Sequence, residues 1–297
     1  MMSFFKSKSS FLFVLFLYTF LLSAVLLYFR FPAEKVKLYC EVHMEQLLAG
    51  TDCSIEGFRY SFPFSFVLDN VRFSSNLATK QELFSIDHIF ISPDISEPTS
   101  RFETKIDAFG GKHSFTLIVD KIDKKFTIKD ILVRDLDPGR IPFLSRATGR
   151  EITGTVAGSG DYHGAWKKGT YEADGKGSIT LANGRFGLLL PILSLNSVDL
   201  KEFTTELELK DKKLQCDNGK FNGKELKGTF SGTLGLGSTL KAATLSFKGE
   251  IEALPELLKQ SQHAQRMITQ MKKQQKRTAL PFYLQGSVQK PSFLFGI

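Results

Sequence analysis

The feature that most constrains this chain is a glycine set in the middle of a stretch that alternates apolar and polar residues. The phrase recurs as Ile152-Thr153-Gly154-Thr155-Val156, Leu226-Lys227-Gly228-Thr229-Phe230, Phe247-Lys248-Gly249-Glu250-Ile251 and Leu284-Gln285-Gly286-Ser287-Val288, with Gly175 and Gly177 before Ile179 and Leu181 as a variant. Alternation with period two predicts strands with one apolar face. Glycine weakens a strand and marks a bulge, a tight bend or the close approach of another backbone, so its repetition predicts a strongly curved sheet. The irregular spacing argues against a propeller or a short-repeat solenoid.

The same alternation appears in Phe58, Tyr60, Phe62, Phe64 and Phe66, in Phe84, Ile86, His88 and Phe90, in Phe115, Leu117 and Val119, and in Phe126 and Ile128 followed by Ile131 and Val133. Pro63 marks an edge or a bend in the first of these. Phe stands at 28 against a single Trp, so the aromatic content sits in the residue that fills apolar space without needing a hydrogen-bond partner. Helical spacing is confined to two places. Val36, Tyr39, Cys40, His43 and Leu47 predict a short helix between Pro32 and Gly50. Beyond Pro255, Leu257, Ser261, Ala264, Ile268 and Met271 share a face opposite Lys259, Arg266, Lys272, Lys273, Lys276 and Arg277, which predicts a basic amphipathic helix. Such a helix either packs on the sheet with a solvated basic face or docks on an anionic membrane or a partner.

Near the amino end, Phe11 to Phe29 carries no charge. At about 1.5 Å per residue it reaches roughly 28 Å, close to a bilayer core of ~30 Å. A cleaved signal peptide has a shorter apolar run ending in small residues, and a buried core helix keeps a polar stripe, so the reading is a single transmembrane helix. The expected division is a tail at 1–10, a membrane helix at 11–29 and a β-rich domain at 30–297. Lys6 and Lys8 on one side and Arg30, Lys35 and Lys37 on the other leave the orientation open by charge alone.

The net charge of +8 comes from scattered basic residues without a nucleic-acid-binding pattern, and lipid headgroups are the more economical partner. His43, His88, His113, His163 and His263 have no metal-ligand spacing, and the Gly154–Gly164 and Gly175–Gly177 stretches lack the dinucleotide and phosphate-loop patterns. Acid pairs such as Asp120 with Asp123 or Asp135 with Asp137 read as turn residues. No enzyme activity, metal or cofactor is expected. Cys40 and Cys53 are candidates for a disulfide in an oxidising compartment, with two free buried thiols as the alternative.

Several stretches resemble the protein N family of the type II secretion system: Pro63–Phe73 (PFSFVLDNVRF), Ile86–Pro93 (IDHIFISP), Leu136–Gly160, Pro191-Ile192-Leu193 and the closing Leu280–Phe295. The resemblance covers nearly the whole chain. It implies an accessory protein of the bacterial inner membrane, with a cytoplasmic amino end and a periplasmic bulk, whose partners are other subunits of that machine. It also implies a fold related to AsmA-like β-groove proteins, which are associated with lipid. The expected fold is thus mainly β: a transmembrane helix, then a curved, elongated antiparallel sheet with a few short helices and one amphipathic helix near the carboxyl end. A structural or interaction subunit is the first functional expectation and a lipid-binding or lipid-transfer module the second. Phe58, Phe62, Phe64 and Phe66 form the candidate apolar surface, either covered by another element or left open as a groove for lipid or a partner chain.

Overall fold

The computed structural model describes residues 8–29, 32–48, 50–61, 65–76, 81–167, 170–193, 195–237, 242–260 and 262–296. Two helices, α1 (Lys8–Phe29) and α2 (Ala33–Leu47), precede the strands β1 (Thr51–Ser61), β2 (Ser65–Ser75), β3 (Glu82–Pro93), β4 (Arg101–Ala108), β5 (Gly111–Asp120) and β6 (Lys125–Leu136). A 3-10 turn (Pro138–Arg140) and α3 (Pro142–Thr148) lead into β7 (Ile152–Lys167), β8 (Thr170–Ile192), β9 (Leu195–Lys210), β10 (Lys213–Gly223), β11 (Leu226–Gly235) and β12 (Thr244–Ala253). Then α4 (Pro255–Gln260) and α5 (Gln262–Gln275) precede β13 (Leu280–Ser287) and β14 (Pro291–Phe295). All the strands belong to one antiparallel sheet of 14, each paired with its neighbour in sequence.

Because every strand reverses the one before it, the connections fall at two ends of the sheet. The link from α2 to β1, the excursion containing α3, and the pair α4–α5 all lie at one end, here the helical end. The β3–β4, β5–β6, β9–β10, β11–β12 and β13–β14 connections lie at the other, the hairpin end.

One face of the sheet is apolar from end to end. At the amino-terminal side Cys53, Ile55, Leu68, Val71, Phe73 and Ile89 form a buried cluster against which Cys40 and Met44 of α2 pack. At the carboxyl-terminal side Leu226, Ile251, Leu280 and Phe282 are buried with Leu257 of α4 and Ala264 and Ile268 of α5. Each of the larger side chains contributes about 1.5–3 kcal/mol by leaving water. The recurring glycines lie on the same face, and aromatic rings cover several of them. A Cβ on Gly219 would lie 2.5 Å from carbons of the Phe230 ring, and Gly228, Gly232 and Gly249 are overlaid in the same way by Phe221, Phe247 and Phe282. The rings thus supply the apolar contact that a strand glycine lacks.

Three expectations from the sequence are corrected. Among the described residues no helix is long and apolar enough to cross a membrane. The transmembrane helix, and with it the single-pass inner-membrane placement with cytoplasmic amino end and periplasmic bulk, is overturned on that finding. Second, Phe58 to Phe66 is a hairpin rather than one strand: Phe58 pairs with Leu68 and Tyr60 with Phe66. Third, the basic helix beyond Pro255 is two helices, and Lys276 and Arg277 lie past the end of α5.

If the Phe230 ring excludes a methyl group at Gly219, Gly219→Ala lowers stability by about 1–3 kcal/mol, the usual cost of overpacking. The same change costs much less in a Phe230→Ala background. Denaturant midpoints of the four proteins of this cycle measure it, and equal penalties in both backgrounds would clear the ring of the role.

Candidate functional site

Between the two helix-covered clusters the apolar face runs on without a covering element. From β4 to β10 its residues are read directly from the register. Phe102 pairs with Leu117, and Thr104 with Phe115. Leu117 pairs with Ile128, and Val119 with Phe126. Ile128 then faces Tyr162, and Val133 faces Gly158. Gly175 faces Leu209, and Leu181 faces Phe203. Leu214 closes the series opposite Leu209. The α4–α5 cluster reaches Leu188, Leu195, Val198 and Phe221 of β8 to β10, and the amino-terminal cluster reaches Ile106 of β4, whereas among the described residues neither cluster takes in the floor residues of β5 to β7.

The uncovered side chains are nevertheless half-buried rather than exposed, including Phe102, Phe115, Leu117, Phe126, Ile128, Leu207 and Leu214. Ser114, Thr116, Ile118 and Thr127 on the opposite face of β5 and β6 are half-buried too, so the case for bending rests on the backbone. The bending has two visible sources. Register shifts interrupt the pairing of β5 with β6, β6 with β7, β7 with β8 and β10 with its neighbours, and bulges bend strands and raise their twist. Asp130, Asp135 and Asn218 take positive φ at or beside these shifts, a conformation that Asp and Asn tolerate. In the β7–β8 pair, a Cβ on Gly158 or Gly175 would come within 2.9 Å of the carbonyl oxygens of Ser178 and Asp161. Only glycine permits that approach. Bulges and close glycine contacts both curve a sheet, and an apolar face curved in this way is a trough whose floor is Phe, Leu, Ile, Val and Gly.

The floor offers few polar groups. Thr205 Oγ1 is already used, 3.1 Å from the Asp217 carbonyl. His113 Nε2 donates to the Ala108 carbonyl at 3.1 Å, which leaves Nδ1 as a buried acceptor without a partner among the described residues. At the helical end a cavity of about 690 Å³ is lined by Arg140, Leu144, Arg150 and Ile152, among others. Arg150 lies 5.1 Å from the centroid of the Phe186 ring, and burial lowers its pKa. Arg146 of α3 donates to Gln81 Oε1 and to the Glu82 carbonyl, so α3 is tied across this end to β3.

The outer face is polar by contrast. Arg59 grips Asp69 through two bonds of 2.7 and 2.8 Å, and His88 Nδ1 lies 2.8 Å from the same carboxylate. The Arg59 bond is the main reason that the Asp69 carboxyl sits below the ordinary carboxylate range, against partial burial, with His88 adding to it. The Asp69 and His88 contact joins residues on neighbouring strands and left no spacing signal in the sequence. Further along, Lys227 Nζ lies 3.1 Å from Glu252 Oε2.

Of the candidate apolar residues, Phe58 and Phe66 are half-buried with ring centroids 5.8 Å apart, and Phe58 packs on the amino-terminal cluster. Phe62 and Phe64 lie outside the described residues. Phe90, expected on the same surface, is 37% exposed on the opposite face, its ring tilted against that of His88 with centroids 6.1 Å apart. The floor residues of β5 and β6 were visible in the sequence as strands but not as a site, and those of β4 were not read at all; the available signal was the break from step two to step three between Ile128 and Ile131. Lys259, Arg266, Lys273, Lys276 and Arg277 are exposed and Lys272 is half-buried, while the opposite face of α4 and α5 is spent on the core.

Cys40, Cys53 and Cys216 are free thiols. Cys53 Sγ lies 3.6 Å from Met44 Sδ. Burial, and then the carboxylates of Glu41 and Glu45, push the Cys53 thiol up to about 11. Compared with known proteins, the chain matches no family model, no curated protein and no solved structure.

The raised thiol makes a pH prediction. Its folded pKa exceeds the ordinary value of 9.0, so protonated Cys53 supports the fold fully below pH 9.0 and that support is lost as pH rises through about 11. Chemical denaturation at stepped alkaline pH should show this loss, and Cys53→Ala should flatten it. Alkylation near neutral pH should reach Cys40 before Cys53, and equal rates would contradict the burial of Cys53.

Proposed function

We propose that this chain holds the acyl chains of membrane lipids along the trough. The observation that carries the reading is the apolar face continuous from β4 to β10, whose middle, β5 to β7, lies outside the two helix-covered clusters that bound it. Seven adjacent strands at about 4.8 Å spacing give a floor about 29 Å long. That is close to the ~30 Å depth that two opposed acyl layers fill in a bilayer, so the tails of one lipid fit with room to slide. A peptide strand is a poorer occupant, because its backbone groups would face a floor with almost no free hydrogen-bond partners and would pay for desolvation. Acyl chains need none. Apolar area of this extent is otherwise a liability in water, and its retention is accounted for by a ligand that covers it.

The role of a structural subunit of a type II secretion machine, with other subunits as partners, rests on the sequence resemblance. No feature of the sheet favours it over the lipid reading.

The test is lipid retention by the full chain, read by mass spectrometry of the purified protein and by binding of a fluorescent phospholipid. Leu117→Glu or Ile128→Glu on the floor should weaken binding by about tenfold or more, since a charge replaces an apolar contact. Thr116→Glu and Thr127→Glu, on the opposite face of the same strands, should leave it unchanged. Circular dichroism and melting of all four variants separate lost binding from lost folding. Equal effects of floor and outer-face changes would reject the trough as the lipid site.

A further inference from the structure

The two most exposed large apolar side chains among the described residues lie on neighbouring hairpin connections at the same end of the sheet. Ile95, in the β3–β4 connection, is 86% exposed, and Ile122, in the β5–β6 connection, is 93% exposed. The two connections are two strands apart, about 10 Å. Each isoleucine is presented by an aspartate that fixes the turn. Asp94 Oδ1 accepts from the Ser96 amide at 2.8 Å and from its hydroxyl at 2.5 Å. Asp120 Oδ1 accepts from the amides of Ile122 and Asp123 at 2.9 and 3.0 Å. The isoleucines are therefore held outward rather than left to fold back on the sheet.

Lysines occupy the second tip and a hairpin four strands further along the same end. Lys121 and Lys124 flank Ile122, and Lys210, Lys212 and Lys213 occupy the β9–β10 hairpin at the same end; none of the five forms an ion pair with a described residue. Lys125 pairs with Asp123 at 2.7 Å. The acids of the first tip are engaged locally, Asp94 with Ser96 and Arg101 and Glu97 with Ser100. By formal charge the three tips carry Arg101, Lys121, Lys124, Lys125, Lys210, Lys212 and Lys213 against Asp94, Glu97, Asp120, Asp123 and Asp211, so positive charge exceeds negative charge at this end.

We propose that the hairpin end docks on an anionic phospholipid surface, with Ile95 and Ile122 inserted below the headgroups and the lysines among the lipid phosphates. Single apolar tips about 10 Å apart, separated by hydrated cations, suit a fluid surface that closes around each tip. A protein partner of ordinary stability needs roughly 1,000 Å² of packed area, which two isolated side chains do not provide. The hairpin end carries no described helix, so docking there would turn an uncapped end of the trough toward the bilayer. The basic α5 lies at the helical end and is the competing docking face. Docking and trough occupancy are separate properties, and either can fail while the other holds.

The test places a tryptophan at each tip of the full chain, as Ile95→Trp and Ile122→Trp, with Lys276→Trp as the counterpart beside α5 and the parent carrying Trp166 as background. Each protein is mixed with vesicles of phosphatidylcholine and phosphatidylglycerol containing brominated acyl chains. The readout is local, so the exposed apolar side chains of α1 do not contribute to it. The tip indoles should shift to the blue and lose emission beyond the parent, while the indole at 276 should not. Lys121→Glu with Lys124→Glu should raise the anionic lipid needed for half-maximal quenching by about tenfold or more. Quenching at position 276 without quenching at the tips would move docking to α5 and overturn the proposal. Unquenched tips throughout, as an acidic protein partner or no partner would give, or tip quenching indifferent to phosphatidylglycerol, would overturn it as well.

Discussion

A single sheet with one apolar face has to bend over that face or be covered, and in this protein the bending depends on backbone contact that only glycine allows. At Gly158 and Gly175 the space that a Cβ would take is already within 2.9 Å of a carbonyl oxygen on the paired strand. Any side chain there would force β7 and β8 apart, at the centre of a meander of 14 strands. The strands on either side are then held in a common curve by continuous pairing, because each is hydrogen bonded to its sequence neighbour. Covering is left to the two sides, where α2 and the α4–α5 pair close the clusters. The aromatic rings over Gly219, Gly228, Gly232 and Gly249 restore, on the carboxyl-terminal side, the packing that a glycine-rich strand forfeits.

The first edge of the sheet shows the same economy. Among the described residues β1 has no strand on its outer side, and an open row of amides is a template for unwanted pairing. The carboxylates of Glu41 and Glu45, four residues apart on one face of α2, accept from the amides of Ile55 and Cys53 at 2.7 and 3.1 Å. A helix turn and a two-residue strand step are close to the same length, so this spacing fits. The helix therefore guards the edge and brings Cys40 and Met44 onto the cluster in one placement. The same two carboxylates help raise the Cys53 thiol, which links the protection of the edge to the chemistry of the buried sulfur.

Period-two alternation made strands legible in the sequence, and the glycine phrase made curvature legible, because both are local. Which face a residue joins was not, wherever a left-handed residue intervenes. Asn70 at φ 49° lets Leu68 and Val71, three apart, enter one cluster, and Asp130 at φ 54° does the same between Ile128 and Ile131. A reading that keeps strict alternation places Phe90 with Phe84 and Ile86, whereas Ile89 takes that place and Phe90 faces out. Asp135 read as a turn residue from its type, yet it lies within β6 at φ 55°, since the tolerance for left-handed backbone that suits a turn also suits a bulge. The trough was hidden for a different reason: a face is a property of seven strands, and no window of sequence contains it.

The relation between curvature and occupancy follows from these constraints. A tightly closed sheet would bury Phe115, Leu117 and Ile128 against side chains from the far strands and leave no room for a ligand. A flat one would expose them fully and be prone to association. A curve between these extremes would be set by backbone, through the glycine contacts and the bulges, rather than by side chains that could repack. A trough whose width is set in this way cannot collapse when empty, so its floor stays available at a cost in unsatisfied apolar area. That cost is consistent with a site kept open for a mobile apolar occupant, because acyl chains, having no polar groups along their length, can enter and leave such a floor without breaking a hydrogen bond.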